Sequence, residues 1–218
     1  MSRVVNRSPT VYSLVLEVGL NHDPFPVRGS VEIEVDLGDE VGRCIVLHAG
    51  RAVDVTDSDI QYVDASGEGR QTLFWYSAPT LARRPERAAP SSTRAPCPAS
   101  GKRVSMQHRI DRNTEPGLED QLVVSLHSPV PSREERHGNT QGYLTLRFHY
   151  NLPRALGGLY LSPYVQNGRP KALAVTQLEA IDARNAFPCF DEPDAKASFD
   201  VTVTVPSWAV VLRSGRKT

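Results

Sequence analysis

Apolar and polar residues alternate along much of this chain. Tyr12, Leu14, Leu16 and Val18 share one parity, with Ser13 and Glu17 on the other. Side chains two apart on a strand point to the same face, so this pattern predicts a half-buried strand over Thr10–Val18. Arg28 to Leu37 repeats it, with Val31, Ile33, Val35 and Leu37 inward and Ser30, Glu32, Glu34 and Asp36 outward. Charges on the outward set predict a solvated face of an antiparallel sheet. Arg43–His48 reads as a shorter, more buried strand, and Asp57–Val63 and Gln71–Tyr76 read as two more. Asp120–Ser125 carries an apolar run, and Gly142–Tyr150 alternates cleanly. Phe199, Val201, Val203 and Val205 against Asp200, Thr202 and Thr204 make the clearest strand, closed by Pro206.

Turn chemistry separates these runs. Asn21-His-Asp-Pro-Phe-Pro is a loop, Gln166-Asn-Gly-Arg-Pro signals a hairpin, and Glu134–Asn139 reads as a solvated turn. The expected fold is all-β, a mostly antiparallel sandwich or saddle of many short strands. One stretch departs from the pattern. Ser77 to Arg103 is rich in Pro, Ala, Arg and Ser, has no apolar period, and is expected to bury too little surface to offset its ordering entropy. We read 78–103 as a disordered insertion inside a single domain spanning 1–218, with Cys97 exposed in it.

Candidate chemistry concentrates in Ala174–Pro193. Leu173 and Val175 are followed, at the same spacing of two, by Gln177 and Glu179. An amide and a carboxylate are thus expected side by side on an otherwise apolar strand face. A half-buried carboxylate costs free energy unless a cation answers it. The chain then turns through Asp182, Ala183 and Arg184 into Phe187-Pro-Cys-Phe-Asp-Glu-Pro193, where the prolines forbid a regular helix. From the strand pattern alone, Gln177 and Glu179 are either a binding pair or ordinary polar residues at a strand end. His48 reads as a satisfied strand histidine, and Cys189 as a packed core thiol.

Composition narrows the function classes. The 218 residues are 39% hydrophobic and 23% charged, with a formal net charge of +0. Nothing in that balance points to nucleic acid or an anionic membrane as a partner. No apolar run of about 18 residues predicts a membrane span, and the first residues lack the apolar core of a signal peptide. Cys44, Cys97 and Cys189 are an odd number without zinc-like spacing, which suits reduced thiols in a cytoplasmic setting. His-Glu-x-x-His does not occur in the chain.

The site stretch resembles the signature near the end of the N-terminal domain of zinc aminopeptidases, the family of aminopeptidase N and the puromycin-sensitive aminopeptidase. The matching residues are Thr176, Gln177 and Glu179, then Asp182-Ala-Arg184, then Phe187 to Pro193, then Lys196-Ala-Ser-Phe199. Gly157-Gly-Leu-Tyr-Leu-Ser-Pro-Tyr164 and the opening strands are similar to the same family. The resemblance implies that Glu179 helps hold the free α-amino group of a peptide substrate and that Gln177 lines the pocket for its first side chain. It implies a zinc ion in the parent enzyme, whose bound water attacks the first peptide bond. It also implies a separate catalytic domain carrying that zinc, which this chain lacks. The chain is therefore expected to be an isolated N-terminal domain, whether a fragment, a truncated gene model or a genuine short protein. Alone, it is expected to bind no metal and to be inactive. The alternative from another class is a non-catalytic β interaction module of the same fold within a larger assembly.

Overall fold

The computed structural model describes residues 8–21, 23–38, 42–64 and 101–212. The expected strand at 71–76, Cys97 and nearly all of the expected insertion lie outside them. The last two residues of that insertion, Lys102 and Arg103, belong to a strand instead. Arg103 is held there by a bidentate pair with Glu32 and by the ring of Tyr143, 3.5 Å below its guanidinium.

The fold is all-β, with no α-helix among the described residues. Strands β1 (Ser8–Val18), β2 (Pro26–Asp36), β4 (Asp54–Asp64), β5 (Lys102–Ser105), β8 (Gln141–Asn151) and β11 (Ser198–Thr204) form one sheet in the order β11-β1-β2-β8-β4-β5. Every pairing in it is antiparallel except β1 with β11. Strands β3 (Cys44–His48), β6 (His108–Arg112) and β7 (Gln121–Leu126) form a second sheet, ordered β3-β7-β6. Strands β9 (Gly158–Gln166) and β10 (Arg169–Gln177) make a hairpin of their own.

The alternation read along the chain is the alternation of burial. Tyr12, Leu14, Leu16, Val31, Ile33, Val35, Leu144 and Leu146 from the large sheet share one hydrophobic cluster with Ile45, Leu47, Leu122 and Val124 from the small one. Two departures are instructive. Phe199, Val201 and Val203 form the expected strand, yet all of β11 is exposed. Among the described residues it is an edge strand paired with β1, so a strand-forming pattern is present where burial is not. Conversely, the turn at 134–139 encloses a fully buried Arg136. Its guanidinium donates to the carbonyls of Pro131, Asn139 and Gly38, which satisfies a charge that burial would otherwise penalise.

Close contact across the large sheet makes Gly29 a sensitive position. A Cβ there would lie 2.4 Å from Cζ of Phe148, the residue opposite it on β8. Phe148 is buried and has no room to move aside. Gly29→Ala should therefore destabilise the domain by about 1–3 kcal/mol in a urea melt, the usual scale of overpacking. Adding Phe148→Leu should recover part of that loss.

Candidate functional site

The site is built on the β9–β10 hairpin. Asn167 and Gly168 both take positive φ, 51° and 72°, which turns the chain tightly and aligns the two strands. Pairing runs back to Gln177 opposite Gly158, where the ladder ends. Glu179 follows just beyond, and its peptide bond to Ala180 is cis. The Asp182 amide donates to the Leu178 carbonyl at 3.0 Å, closing a turn around Glu179. A single 3-10 turn, Ala183–Asn185, comes next.

Gln177 and Glu179 are thus brought together, with Gln177 Nε2 donating to the Glu179 carbonyl at 3.4 Å. Their setting differs from the expectation in one respect. Glu179 is exposed and lies past the strand end, not half-buried on an apolar face. The reason is topological: β10 pairs only with β9, and its residues are mostly exposed along their length. Among the described residues, no cation pairs with the Glu179 carboxylate. Arg184, the next cation along the chain, is engaged elsewhere.

Arg184 is the anchor beneath the site. Its Nε and its backbone amide donate to Asp191 Oδ2 at 2.9 and 3.1 Å, and its Nη2 donates to the Asp191 carbonyl at 3.1 Å. Its Nη1 donates to Asp120 Oδ2. The side chain is only 13% exposed. Burial disfavours its charge, but the hydrogen bonds it donates to Asp191 and Asp120 outweigh that and hold the proton more firmly. Burial likewise pushes Asp120 up, and the Arg184 hydrogen bond and charge overcome it, leaving the carboxyl below its ordinary value. The Arg184 carbonyl accepts from the Gly50 amide at 2.7 Å, which ties the turn to the segment after β3.

The Phe187–Pro193 loop packs against the same anchor. Cys189 and His48 exchange backbone hydrogen bonds of 2.8 and 2.9 Å, and His48 Nδ1 accepts from the Asp191 amide at 3.4 Å. His48 is buried, and desolvation, then the charge of Arg184, lowers its affinity for a proton. Cys189 is buried and its thiol is pushed up by desolvation, as suits a packed core residue. The Phe190 amide donates to Tyr12 Oη at 3.0 Å, and the Tyr12 ring stacks on Phe199 with centroids 4.6 Å apart. Sequence reasoning missed Asp120 altogether. It precedes β7 with no local motif, and only the fold carries it to Arg184.

Three or more His, Cys, Asp or Glu side chains able to hold a metal ion are nowhere grouped among the described residues. The donor set therefore does not fit a zinc ion, and no step is assigned to one in this chain. No helix among the described residues is long and apolar enough to cross a membrane.

The all-β body carries a Gln-x-Glu segment at the end of a hairpin and an Arg-anchored Phe-Pro-Cys-Phe loop, the layout expected of an N-terminal β domain of the aminopeptidase class. Residues 98–217 match the family described as the Peptidase M1 N-terminal domain, which is more than half of the chain. The chain belongs to that family. It is 42% identical over 103 residues to aminopeptidase N of Canis lupus familiaris, covering 47% of this chain and 10% of that protein. It is 47% identical over 72 residues to aminopeptidase M1-D of Oryza sativa subsp. japonica, covering 33% of this chain and 8% of that protein. It is 48% identical over 71 residues to aminopeptidase M1 of Arabidopsis thaliana, with the same shares, 33% and 8%. The chain thus spans about a tenth of the length of the curated relatives it matches.

Arg184→Met should be severely destabilising, by about 3–5 kcal/mol, because it leaves Asp120 and Asp191 as unanswered carboxylates. A urea melt at neutral pH measures this.

The pH dependence of stability separates His48 from Asp120. The unfolded chain takes up a proton on His48 near pH 6.5, whereas the native state does so only at lower pH. Stability should therefore fall as pH drops below 6.5, and His48→Gln should remove that part of the slope. Asp120 contributes fully above its ordinary value of 3.8, and its contribution should disappear only as pH falls through the depressed native value. His48→Gln should leave that second loss in place.

Proposed function

We propose that this chain is the part of an aminopeptidase that anchors the free amino terminus of a peptide substrate. In this reading Glu179 receives the α-ammonium and Gln177 contacts the first side chain. The observation that carries the reading is the state of Glu179: an exposed carboxylate with no cationic partner among the described residues, while Arg184 is held by Asp120 and Asp191. A substrate ammonium supplies the missing charge. Its hydrogen bonds to a carboxylate are charge-assisted, and so stronger than neutral ones. The aminopeptidase names of the relatives, and the family itself, support peptides as the substrate class.

The zinc and the bond-breaking chemistry belong, in this proposal, to a further domain of the parent enzyme. The surface around the site suits such a neighbour. Leu173, on the same strand face as Gln177, is 53% exposed, and Ile181, two residues past Glu179, is 56% exposed. Among the described residues Cys44 and Cys189 are free thiols, which supports a reducing, cytoplasmic setting for the enzyme.

The test joins the full chain to the catalytic part of a relative. Glu179→Ala should lower kcat/KM for free-amine substrates by roughly ten- to a hundredfold, the equivalent of one charge-assisted hydrogen bond of about 1.5–3 kcal/mol. The already poor turnover of N-acetylated substrates should not change. Gln177→Ala should shift the preference among first side chains. The 218-residue chain alone should show no hydrolysis and retain no zinc after dialysis. Unchanged kinetics in Glu179→Ala would sink the reading.

A further inference from the structure

We infer that Arg184 is a positioning residue for Glu179, and that the turn carrying this carboxylate is a clamped element and not a free surface loop. The inference rests on the anchoring role proposed above. Glu179 sits between two fixed points. On one side is the last pair of the hairpin, Gln177 opposite Gly158. On the other is the 3-10 turn Ala183–Asn185, which the Arg184 side chain pins to Asp120 and Asp191 and its carbonyl pins to Gly50.

Between them the chain has little freedom. The Asp182 amide bonds back to the Leu178 carbonyl, and Asn185 Nδ2 donates to Asp182 Oδ1 at 2.8 Å. Gly157 and Gly158, at the start of β9, close the clamp from beneath. A Cβ on Gly158 would lie 2.6 Å from Asn185 Cβ, and one on Gly157 would lie 3.0 Å from Asp182 Oδ1. Both glycines have positive φ, 68° and 123°, which other residues rarely adopt. Arg184 does not touch the carboxylate. Its ion pairs fix the far end of the turn, and so fix where Glu179, exposed and without a cationic partner among the described residues, stands. An anchor for a small cationic group needs that placement, because an error of about 1 Å can cost up to a hundredfold in rate.

The experiment is a double-mutant cycle in the joined enzyme, with each rate divided by the concentration of active sites. Arg184→Ala should lower kcat/KM for free-amine substrates by roughly tenfold. In the Glu179→Ala background the same substitution should have no further effect, because what it misplaces is already gone. Arg184→Lys keeps the charge but not the fork of donors, and should recover part of the loss. Gly158→Ala loosens the clamp from the other side and should show the same non-additivity with Glu179→Ala. It also keeps the question answerable if Arg184→Ala does not fold. A purely structural Arg184 would lower active-site concentration alone, leaving corrected kcat/KM unchanged. That result, or an equal loss in both backgrounds, overturns the inference while leaving Glu179 as the anchor. If Glu179→Ala itself has no effect, the anchoring reading fails first.

Discussion

A guanidinium shared between two carboxylates organises the functional end of this domain. Arg184 draws Asp120 from the start of β7, Asp191 from the Phe-Pro-Cys-Phe loop and, through its own carbonyl, Gly50 from the segment after β3. These pieces are far apart in sequence, and the same segments also meet in the core through Ala49, Leu122, Ala186 and Phe187. A charge taken largely out of water must be met by opposite charge in good geometry, so the pairing leaves the turn few alternative arrangements.

The consequence for chemistry lies in which charges are committed and which are not. Asp120 and Asp191 neutralise Arg184, and Arg103 serves Glu32 in the large sheet. Glu179 is left outside these pairs, at the end of a hairpin whose second strand is mostly exposed. Under the function proposed above, an exposed carboxylate close to the exposed side chains of Leu173 and Ile181 would receive something cationic and something apolar together. A peptide amino terminus, with a second protein body over it, is the pair which that proposal names.

The core obeys a different and simpler constraint. Period-two patterning in β1, β2 and β8 was readable because each of these strands buries one face, and a shift of one residue would expose every apolar side chain. The same logic explains the failures. β11 carries an equally regular pattern but is an exposed edge strand among the described residues, so alternation identified the strand and not its burial. Arg136 looked like a turn residue because a charge in a polar stretch is normally solvated. Three backbone carbonyls that converge only in the folded chain make it a core residue.

By itself the sequence determined the all-β class, the position of most strands, the hairpin at Asn167-Gly168, and the pairing of Gln177 with Glu179 in one short segment. These are local matters: the two-residue period of a strand, the positive φ of a tight turn, and a spacing of two. The long match to the aminopeptidase signature added the family. Only the tertiary structure decided that Asp120 answers Arg184, that His48 lies beneath Asp191, that Glu179 stands past the strand end in the open, and that β11 is an edge. Each of those depends on which distant segments meet. Charge pairing and burial act through space, and nothing in a residue's immediate neighbours along the chain records them.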